Sequence, residues 1–208
     1  MTVSIVACGK TAEGWHNTPC DLSIGVNDCA RFGKETDWLV VINRKFPPDR
    51  EAIIKASKPK RFFTTIQYWQ QQFPKAETLR LQQFSKHLKK GHVYSSKTSP
   101  FVALSLAFNA GAKNIILFGC DLNSHPTIKD KLRDYELRKF ERFCRELAAQ
   151  GTKVWVSSYD SSLIKFLKVW PSLDITEDQK EFITNMYEDI LKRDMENHFN
   201  KSPNEATK

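Results

Sequence analysis

The chain has 208 residues, of which 40% are hydrophobic and 27% are charged, and its formal net charge is +8. This content is ordinary for a soluble protein, so we expect one globular domain with disorder confined to the ends. No apolar run approaches the ~18–20 residues that cross a bilayer, and the N-terminus lacks the pattern of a secretory signal. We therefore expect a cytoplasmic protein without a transmembrane segment.

Apolar runs rich in β-branched residues predict four strands in the first third of the chain. They cover residues 3–8, 21–28, 37–44 and 61–66. Pro47 and Pro48 interrupt the chain after the third strand, and Asp49 can cap a helix that runs to about Ala56. The apolar spacing of residues 79–90 predicts a further helix.

Residues 44–97 hold most of the positive charge. They contain thirteen Lys or Arg and three Asp or Glu, a net +10, which leaves the rest of the chain near −2. The aromatic residues interleaved with them are Phe46, Phe62, Phe63, Tyr68, Trp69, Phe73, Phe84 and Tyr94. Two interpretations stay open: a solvated cationic face with a few core rings, or a surface that attracts an acidic partner such as nucleic acid or an anionic glycan or lipid.

The most informative unit is residues 98–125, TSPFVALSLAFNAGAKNIILFGCDLNSH. Two hydroxyl residues and a proline open an almost wholly apolar helix over 99–110, which predicts burial against a sheet. Gly111 is the expected helix stop, and residues 114–119 have the strongest strand pattern in the chain. His125 lies just beyond that strand.

The remaining elements continue the alternation of helix and strand. An amphipathic helix over 129–149 precedes a strand over 153–158, and another helix is expected after Asp160. A capping box that begins at Thr176 predicts a helix reaching about Phe199.

Strands that alternate with helices through short loops predict an α/β fold, a Rossmann-like three-layer sandwich with a mostly parallel sheet in a single compact domain. We expect residues 1–174 to form this domain and a C-terminal helix over 175–200 to pack on it. Residues 201–208 are expected to be a disordered tail.

In such sheets a ligand binds beyond the carboxyl ends of the strands. The residues at those ends are small or polar: Gly9, Asn27, Asn43, Asp121 with His125, and Ser157 to Ser162. Because they all fall on one edge of the predicted sheet, they form a single candidate site. Asparagine amides at strand ends suit ribose hydroxyls and base edges.

Several common site motifs are missing from the sequence. There is no G-x-G-x-x-G after the first strand, no G-x-x-x-x-G-K-[ST] and no G-x-S-x-G. Dinucleotide oxidoreductases, P-loop enzymes and α/β-hydrolases are therefore disfavoured. There is also no D-x-D, the carboxylate pair that holds a divalent metal on a nucleotide-sugar, so we expect neither a metal nor a cofactor.

The cysteines are odd in number and form no C-x-x-C pair. This pattern predicts reduced thiols rather than a disulfide framework or a zinc site. They are Cys8, Cys20, Cys29, Cys120 and Cys144.

Thr98 and Ser99 have two compatible interpretations. One hydroxyl can simply cap the helix, a contribution of about 1 kcal/mol. The helix N-terminus also offers free N–H groups and a positive dipole end to a phosphate. His125 is either a surface or packing residue or a general base near neutral pH, and Asp121 is expected to be a structural acceptor rather than a metal ligand.

These segments resemble the bacterial sialyltransferases of glycosyltransferase family 42. TSPFVALSLAFNAGAKNIILFGCDL is similar to the family's "TSG … apolar helix … G-x-K-x-I-x-L-x-G-x-D" segment, a pattern shared by the related DUF115-type Rossmann proteins. VACGKTA stands at its G-N-G-P-S loop, and VND and VIN stand at its two asparagine-bearing strand ends. KVWVSSYDSSLIKFLKVWPSLD resembles its final strand with the N-S-L-L and P-x-L-N segments, so that the resemblance spans residues 3–44 and 98–174.

The resemblance implies an inverting, metal-independent transferase whose co-substrate is a nucleotide-sugar donor. Carried over, its base and ribose contacts fall on Asn27, Asn43, Thr98 and Ser99, and Gly9 allows close backbone approach to the nucleotide. Additional nucleotide-binding candidates are Lys10, Ser158 and Ser161.

The resemblance also assigns a catalytic position to His125, with Asp121 beside it. The histidine would take the proton of the acceptor hydroxyl as that oxygen attacks the anomeric carbon. The candidates for stabilising the leaving group or holding the acceptor are Lys97, Tyr135 and Tyr159.

This chain departs from the family pattern in three places. Lys10 replaces the asparagine of the first loop, TSP replaces TSG, and only three residues separate Asp121 from His125, where the family carries a longer lid. The lysine suits a pyrophosphate, so a UDP-linked donor is as consistent with the sequence as a CMP-linked one. The short lid implies an open site and a large acceptor.

The leading hypothesis is a small glycosyltransferase that moves a sugar from a CMP- or UDP-linked donor to a hydroxyl on an anionic acceptor. Residues 44–97 would hold that acceptor, either a glycan or a hydroxymethylated base in DNA. Two alternatives stay open: a DUF115-like pyrophosphokinase, which would need ATP and a divalent metal, and a non-enzymatic basic nucleic-acid-binding module.

Overall fold

The computed structural model describes residues 1–85, 87–96, 98–122 and 130–171. Eight strands form one sheet in which every neighbouring pair is parallel. In spatial order they are β10 (Lys168–Val169), β9 (Lys153–Val156), β8 (Asn114–Phe118), β1 (Thr2–Val6), β2 (Leu22–Val26), β3 (Trp38–Val41), β4 (Arg61–Thr64) and β5 (Glu77–Thr78). β6 (Leu81–Gln83) and β7 (Val93–Ser95) form a separate parallel pair.

Helices cover both faces of the sheet. They are α1 (Pro48–Ala56), α2 (Gln67–Gln72), α3 (Ser99–Asn109) and α4 (Asp130–Ala149). Successive side chains of a strand point to opposite faces, so Val3 and Ile5 of β1 pack in the cluster that contains α3 and α4, whereas Val6 packs in the cluster that contains α1 and α2. The predicted three-layer α/β sandwich with a mostly parallel sheet is confirmed. None of the helices in the described ranges is long and apolar enough to span a bilayer.

Residues Met1–Trp170 form one compact unit, the α/β domain. The helix predicted over 175–200 and the tail predicted over 201–208 lie outside the described residues. The packing of that helix stays a prediction.

Helix α3 is buried against the sheet, as its apolar sequence predicted. Its residues from Phe101 to Phe108 are all buried, because the helix packs on β1, β2 and β3 and against the Phe140 and Phe143 rings of α4. Eleven helical residues span about 16 Å, as do five residues of a strand. Since α3 ends where β8 begins, its N-terminus lies level with the carboxyl ends of the central strands.

Three local predictions were wrong. Residues 79–85 and 87–90 contain strand β6 and irregular chain instead of a helix. Phe84 and Leu88 are buried in the core, and their spacing resembles that of a helix. Helix α1 has Pro47 at its N-cap without a side-chain cap, so Asp49 lies in the first turn. The element after Asp160 is a single 3₁₀ turn, Ser162–Lys165.

The aromatic residues of segment 44–97 belong mainly to the core. Five of the eight are buried, and the others are half-buried. The buried ones are Phe62, Phe63, Trp69, Phe84 and Tyr94. The outer surface of this segment is therefore cationic without exposed rings.

All five cysteines are free thiols, as predicted. Cys29, Cys120 and Cys144 are buried, and Cys8 and Cys20 are half-buried. Burial raises the pKa of the Cys29 thiol to about 12 and the pKa of the Cys144 thiol still further.

Candidate functional site

Five neighbouring strands, β9, β8, β1, β2 and β3, end at one edge of the sheet. We call the residues that follow them the carboxyl rim: 157–161, 119–122, 7–11, 27–28 and 42–43. Strands in a sheet lie about 4.8 Å apart, so the rim is about 19 Å long. All the predicted strand-end candidates that the structure describes therefore follow adjacent strands.

A hydrogen-bond network joins the loop after β1 to the loop after β8. The Thr11 hydroxyl donates to Asp121 Oδ1, and the Thr11 N–H donates to Asp121 Oδ2 at 3.3 Å. The Gly119 N–H donates to the Thr11 hydroxyl oxygen at 3.0 Å, and the Gly9 N–H donates to the Gly119 carbonyl at 2.9 Å. Asp121 therefore acts as a structural acceptor, and a catalytic role for it stays a prediction. The sequence alone did not reveal this role of Thr11, although Thr11 lies in the VACGKTA segment.

Gly9 is required by this network. A Cβ at this position would lie 2.2 Å from Asp121 Oδ2 and 2.6 Å from the Gly119 carbonyl oxygen. Its backbone is ordinary extended chain (φ −79°), so the requirement is one of space. Asp121 occupies the space that the missing side chain leaves; close approach of a nucleotide to Gly9 stays a prediction.

Asn27 presents an unpaired polar atom at the end of β2. Its backbone is left-handed (φ 55°), a conformation that asparagine tolerates better than most residues, and its N–H donates to the Val40 carbonyl at 3.0 Å. The amide oxygen Oδ1 is buried and has no hydrogen-bond partner. Buried polar atoms in proteins nearly always have partners, so an unpaired one at a site edge is a candidate ligand contact.

Asn43 is placed differently. It follows β3 and is exposed, and its backbone carbonyl accepts a hydrogen bond from the buried Trp69 indole at 2.8 Å. The indole fixes the main chain, while the Asn43 side chain lies at the solvent-facing part of the rim.

Asp28 is a buried carboxylate that sequence reasoning passed over. Its side chain is fully buried, and it accepts hydrogen bonds from Arg50 Nε at 2.8 Å and from the Cys8 thiol at 3.2 Å. Burial alone would raise its pKa, but the bonds from Arg50 and Cys8 and the Arg50 charge hold the pKa below its usual value. The sequence signal was an acid directly after a strand-end asparagine, with arginine three residues later.

Thr98 and Ser99 lie at the N-terminus of α3, and both are buried. Thr98 is the N-cap residue, but its side chain makes no capping bond; its hydroxyl lies 3.0 Å from that of Ser96. The simple capping interpretation of the pair is therefore wrong for Thr98, because Ser96 engages its hydroxyl. The binding of a phosphate at this helix end stays a prediction.

The serines after β9 are partly structural. Ser161 caps the 3₁₀ turn by accepting from the Leu163 N–H at 3.2 Å, and its hydroxyl donates to the Cys120 carbonyl at 3.4 Å. Ser158 accepts from the Asp160 N–H at 3.1 Å and is half-buried. Ser161 thus ties the β9 loop to the β8 loop, and Ser158 is the more accessible of the two.

The remaining candidates are dispersed. Lys10 is exposed on the turn after β1, and Tyr159 is half-buried on the rim. Tyr135 is exposed on α4, with Lys139 Nζ 4.5 Å from its ring centre. His125 and Lys97 lie outside the described residues.

The rim thus brings together amide and hydroxyl groups, the exposed Lys10 and the N-terminus of α3, and its carboxylates Asp28 and Asp121 have hydrogen-bond partners within the protein. Amides, hydroxyls and main-chain N–H groups bind polar, uncharged groups and phosphates. Across the described ranges, no three His, Cys, Asp or Glu residues cluster as a metal site would require.

No protein-family model matches this chain, and no curated protein matches it in sequence. Among solved structures, a point mutant of the alpha-2,3/8-sialyltransferase CstII has a TM-score of 0.55 and 15% identity, covering 85% of this chain and 89% of that one. CstII from Campylobacter jejuni with the substrate analogue CMP-3FNeuAc has a TM-score of 0.53 and 14% identity, covering 83% and 87%. CST-II with a trisaccharide acceptor and CMP has a TM-score of 0.53 and 14% identity, covering 85% and 89%. At such identities the likeness is one of fold, and the chain has a sialyltransferase-like α/β fold.

Proposed function

We propose that this protein is a glycosyltransferase that binds a nucleotide-sugar along the carboxyl rim. The donor is CMP- or UDP-linked, and the acceptor is a hydroxyl on an anionic molecule. Structures of similar fold were determined with CMP, with a CMP-sugar analogue and with a trisaccharide acceptor, which supports this class of donor.

The observation that carries the proposal is the unpaired amide oxygen of Asn27. A buried polar atom without a partner costs about 1–3 kcal/mol, which a ligand hydrogen bond would remove. An oxygen acceptor at this position suits a ribose hydroxyl or an amino group of a base. Asn43, Thr98 and Ser99 would extend the same contact surface, and Ser158 and Ser161 would border it beyond β8.

The proposed reaction needs no metal. The acceptor oxygen attacks the anomeric carbon, the bond from that carbon to the phosphate oxygen breaks, and His125 takes the hydroxyl proton. The nucleotide leaves with the electron pair, and its negative charge faces Lys10 and the N-terminus of α3. Lys97, Tyr135 and Tyr159 remain the candidates for additional contacts to the leaving group or the acceptor.

For the acceptor, an anionic glycan is favoured over a DNA base. The cations of segment 44–97 attract either polymer, but recognition of an extruded base commonly uses stacking on aromatic rings. The rings of this segment are buried or half-buried, so they offer no exposed stacking platform. A filter-binding comparison of dextran sulfate with duplex DNA containing 5-hydroxymethylcytosine tests this choice, and tighter binding of the DNA would contradict it.

The nucleotide part is tested by titration calorimetry with CMP, UDP and GDP. We expect CMP or UDP to bind, and Asn27→Ala to weaken that binding by about fivefold or more, since a lost hydrogen bond to a buried group is worth about 1–3 kcal/mol. Asn114→Ala is the matched control, because this asparagine begins β8 at the opposite edge of the sheet. Equal affinity in the wild type and in Asn27→Ala would contradict the proposed site.

The catalytic part is tested by His125→Ala. Removing a general base should lower turnover by about 10²–10⁴-fold while nucleotide affinity stays within about twofold. Turnover is measured as release of CMP or UDP from the donor, with EDTA present. Full turnover in the variant would show that another group accepts the proton, and loss of turnover in EDTA would contradict the metal-free reaction.

A further inference from the structure

A group of four side chains, Cys8, Asp28, Arg31 and Arg50, joins three separate segments at the carboxyl rim. We call it the Asp28 cluster. Asp28 Oδ1 and Oδ2 accept a bidentate pair of hydrogen bonds from Arg50 of α1, and Arg31 Nη1 lies 3.4 Å from Oδ2. The Cys8 thiol donates to Asp28 at 3.2 Å and approaches the Val26 carbonyl at 3.3 Å.

The cluster also fixes the loop after β1 from its other side. An Arg31 Nη2–H donates to the Cys8 carbonyl, one residue before Gly9. Arg31 therefore contacts both the carboxylate after β2 and the main chain after β1. The two loops that flank the proposed nucleotide site are tied to each other and to α1 through one buried carboxylate.

This arrangement exceeds what packing alone requires. A fully buried carboxylate costs several kcal/mol unless it is paired, and an apolar side chain of similar volume would fill the same space without that cost. The neighbour of Asp28 is Asn27, whose left-handed backbone is an uncommon conformation for a residue other than glycine. The residue directly after Asn27 is thus a short side chain that accepts hydrogen bonds from Arg50 and Cys8.

We propose that Asp28 and Arg50 are positioning residues for the proposed transferase: their ion pair fixes Asn27 so that its amide points at the nucleotide. The role in nucleotide binding rests on the proposed function, whereas the fixing of Asn27 by the ion pair does not. The Asp28–Arg50 pair lowers the freedom of the 27–28 peptide before the ligand arrives, so the amide needs no reordering on binding.

The test compares this ion pair with a second bidentate ion pair on the same sheet. Arg61 Nε and Nη2 donate to Glu77 Oε1 and Oε2 at 2.6 and 2.7 Å, between β4 and β5, and both side chains are exposed. Asp28→Asn and Glu77→Gln therefore remove a carboxylate from pairs of the same geometry, one at the rim and one away from it. Arg50→Met and Arg50→Lys complete the set.

Two readouts are measured on each variant: the Kd for CMP and UDP by calorimetry, and hydrogen exchange of individual backbone amides. Asp28→Asn and Arg50→Met should weaken nucleotide binding by about tenfold, Arg50→Lys should recover part of the loss, and Glu77→Gln should change it by less than about twofold. Exchange protection of the Asn27 amide should fall about tenfold relative to that of Ile5 in β1.

The outcomes separate a positioning role from a merely structural one. If Asp28→Asn and Arg50→Met lose stability but keep the wild-type Kd and the wild-type ratio of Asn27 to Ile5 protection, the proposal is overturned. If the wild type binds neither nucleotide, the proposed function fails, and the exchange ratio alone then decides whether the pair positions Asn27. If Arg50→Met does not fold, Asp28→Asn and Arg50→Lys carry the same comparison.

Discussion

Replacing Gly9 by alanine adds one atom, the Cβ, where the loops after β1 and β8 contact each other. The added Cβ would lie 2.2 Å from Asp121 Oδ2 and 2.6 Å from the Gly119 carbonyl oxygen, against the ~3.4 Å of an ordinary contact. Relief requires the loops to separate by about 1 Å. Movement on that scale breaks the 2.9 Å bond between Gly9 and Gly119 and weakens the two Thr11 bonds to Asp121.

The expected loss follows from these contacts. Two or three hydrogen bonds at about 1 kcal/mol each, with an overpacking cost of about 1–2 kcal/mol, give a destabilisation of about 3–5 kcal/mol. Urea unfolding followed by tryptophan fluorescence measures the change in the free energy of unfolding. A protein of this kind has about 5–15 kcal/mol in total, so the effect is large.

Two control variants isolate the steric cause. Gly111→Ala adds a Cβ with no atom within 4 Å but forces alanine to φ +88°, so it should cost only the conformational term of about 1–2 kcal/mol. On the Asp121→Ala background, Gly9→Ala should cost at least about 1 kcal/mol less than on the wild type, because the nearest clash is gone. A cost of Gly9→Ala below about 1 kcal/mol, or strict additivity, would refute the reasoning.

Three smaller predictions concern other parts of the domain. Trp69→Phe removes the indole bond to the Asn43 carbonyl and should lower the free energy of unfolding by about 1–3 kcal/mol, measured in urea; no change would mean that the 2.8 Å bond is not stabilising. Burial raises the pKa of Asp37, but bonds from Lys60 and Ser23 lower it more, to below its usual 3.8. The free energy of unfolding should therefore fall as pH drops through that lowered pKa. In Asp37→Asn, the free energy of unfolding measured in urea should depend less on pH between pH 5 and about 2.5, and a pH dependence equal to that of the wild type would contradict this. In the folded protein, Ellman's reagent should react readily with Cys20 alone, and in denaturant it should react with all five thiols. Fast reaction of a second thiol in the folded protein would contradict the expectation that the other four are unreactive.

Much of the fold was predictable because its signals are local. The β-branched runs of β1, β3 and β8 and the apolar α3 each carry their pattern within one short stretch. The helix predicted over residues 79–90 was wrong for the opposite reason, because its signal depends on distant contacts. Phe84 contacts rings of α3, α4 and β7, and Leu88 is buried in the same core cluster. Burial produced the spacing, and spacing alone does not reveal its cause.

The site was predictable only in outline. Strand ends are visible in a sequence, and parallel strands bring their ends to one edge, so Gly9, Asn27 and Asn43 were found. The network of Thr11 with Asp121 and the pair of Asp28 with Arg50 were not, because each joins residues 22 or 110 positions apart.

The sequence by itself determined the alternation of strands and helices, the buried faces and the polar character of the strand ends, because these depend on side chains a few residues apart. Only the tertiary structure decided which polar groups are already paired and which are not. Asp121 and Ser161 have their partners within the protein, whereas the Asn27 amide oxygen is buried without one. Hydrogen-bond partnership between distant segments depends on how the strands are ordered in the sheet, and strand order is a property of the whole folded chain.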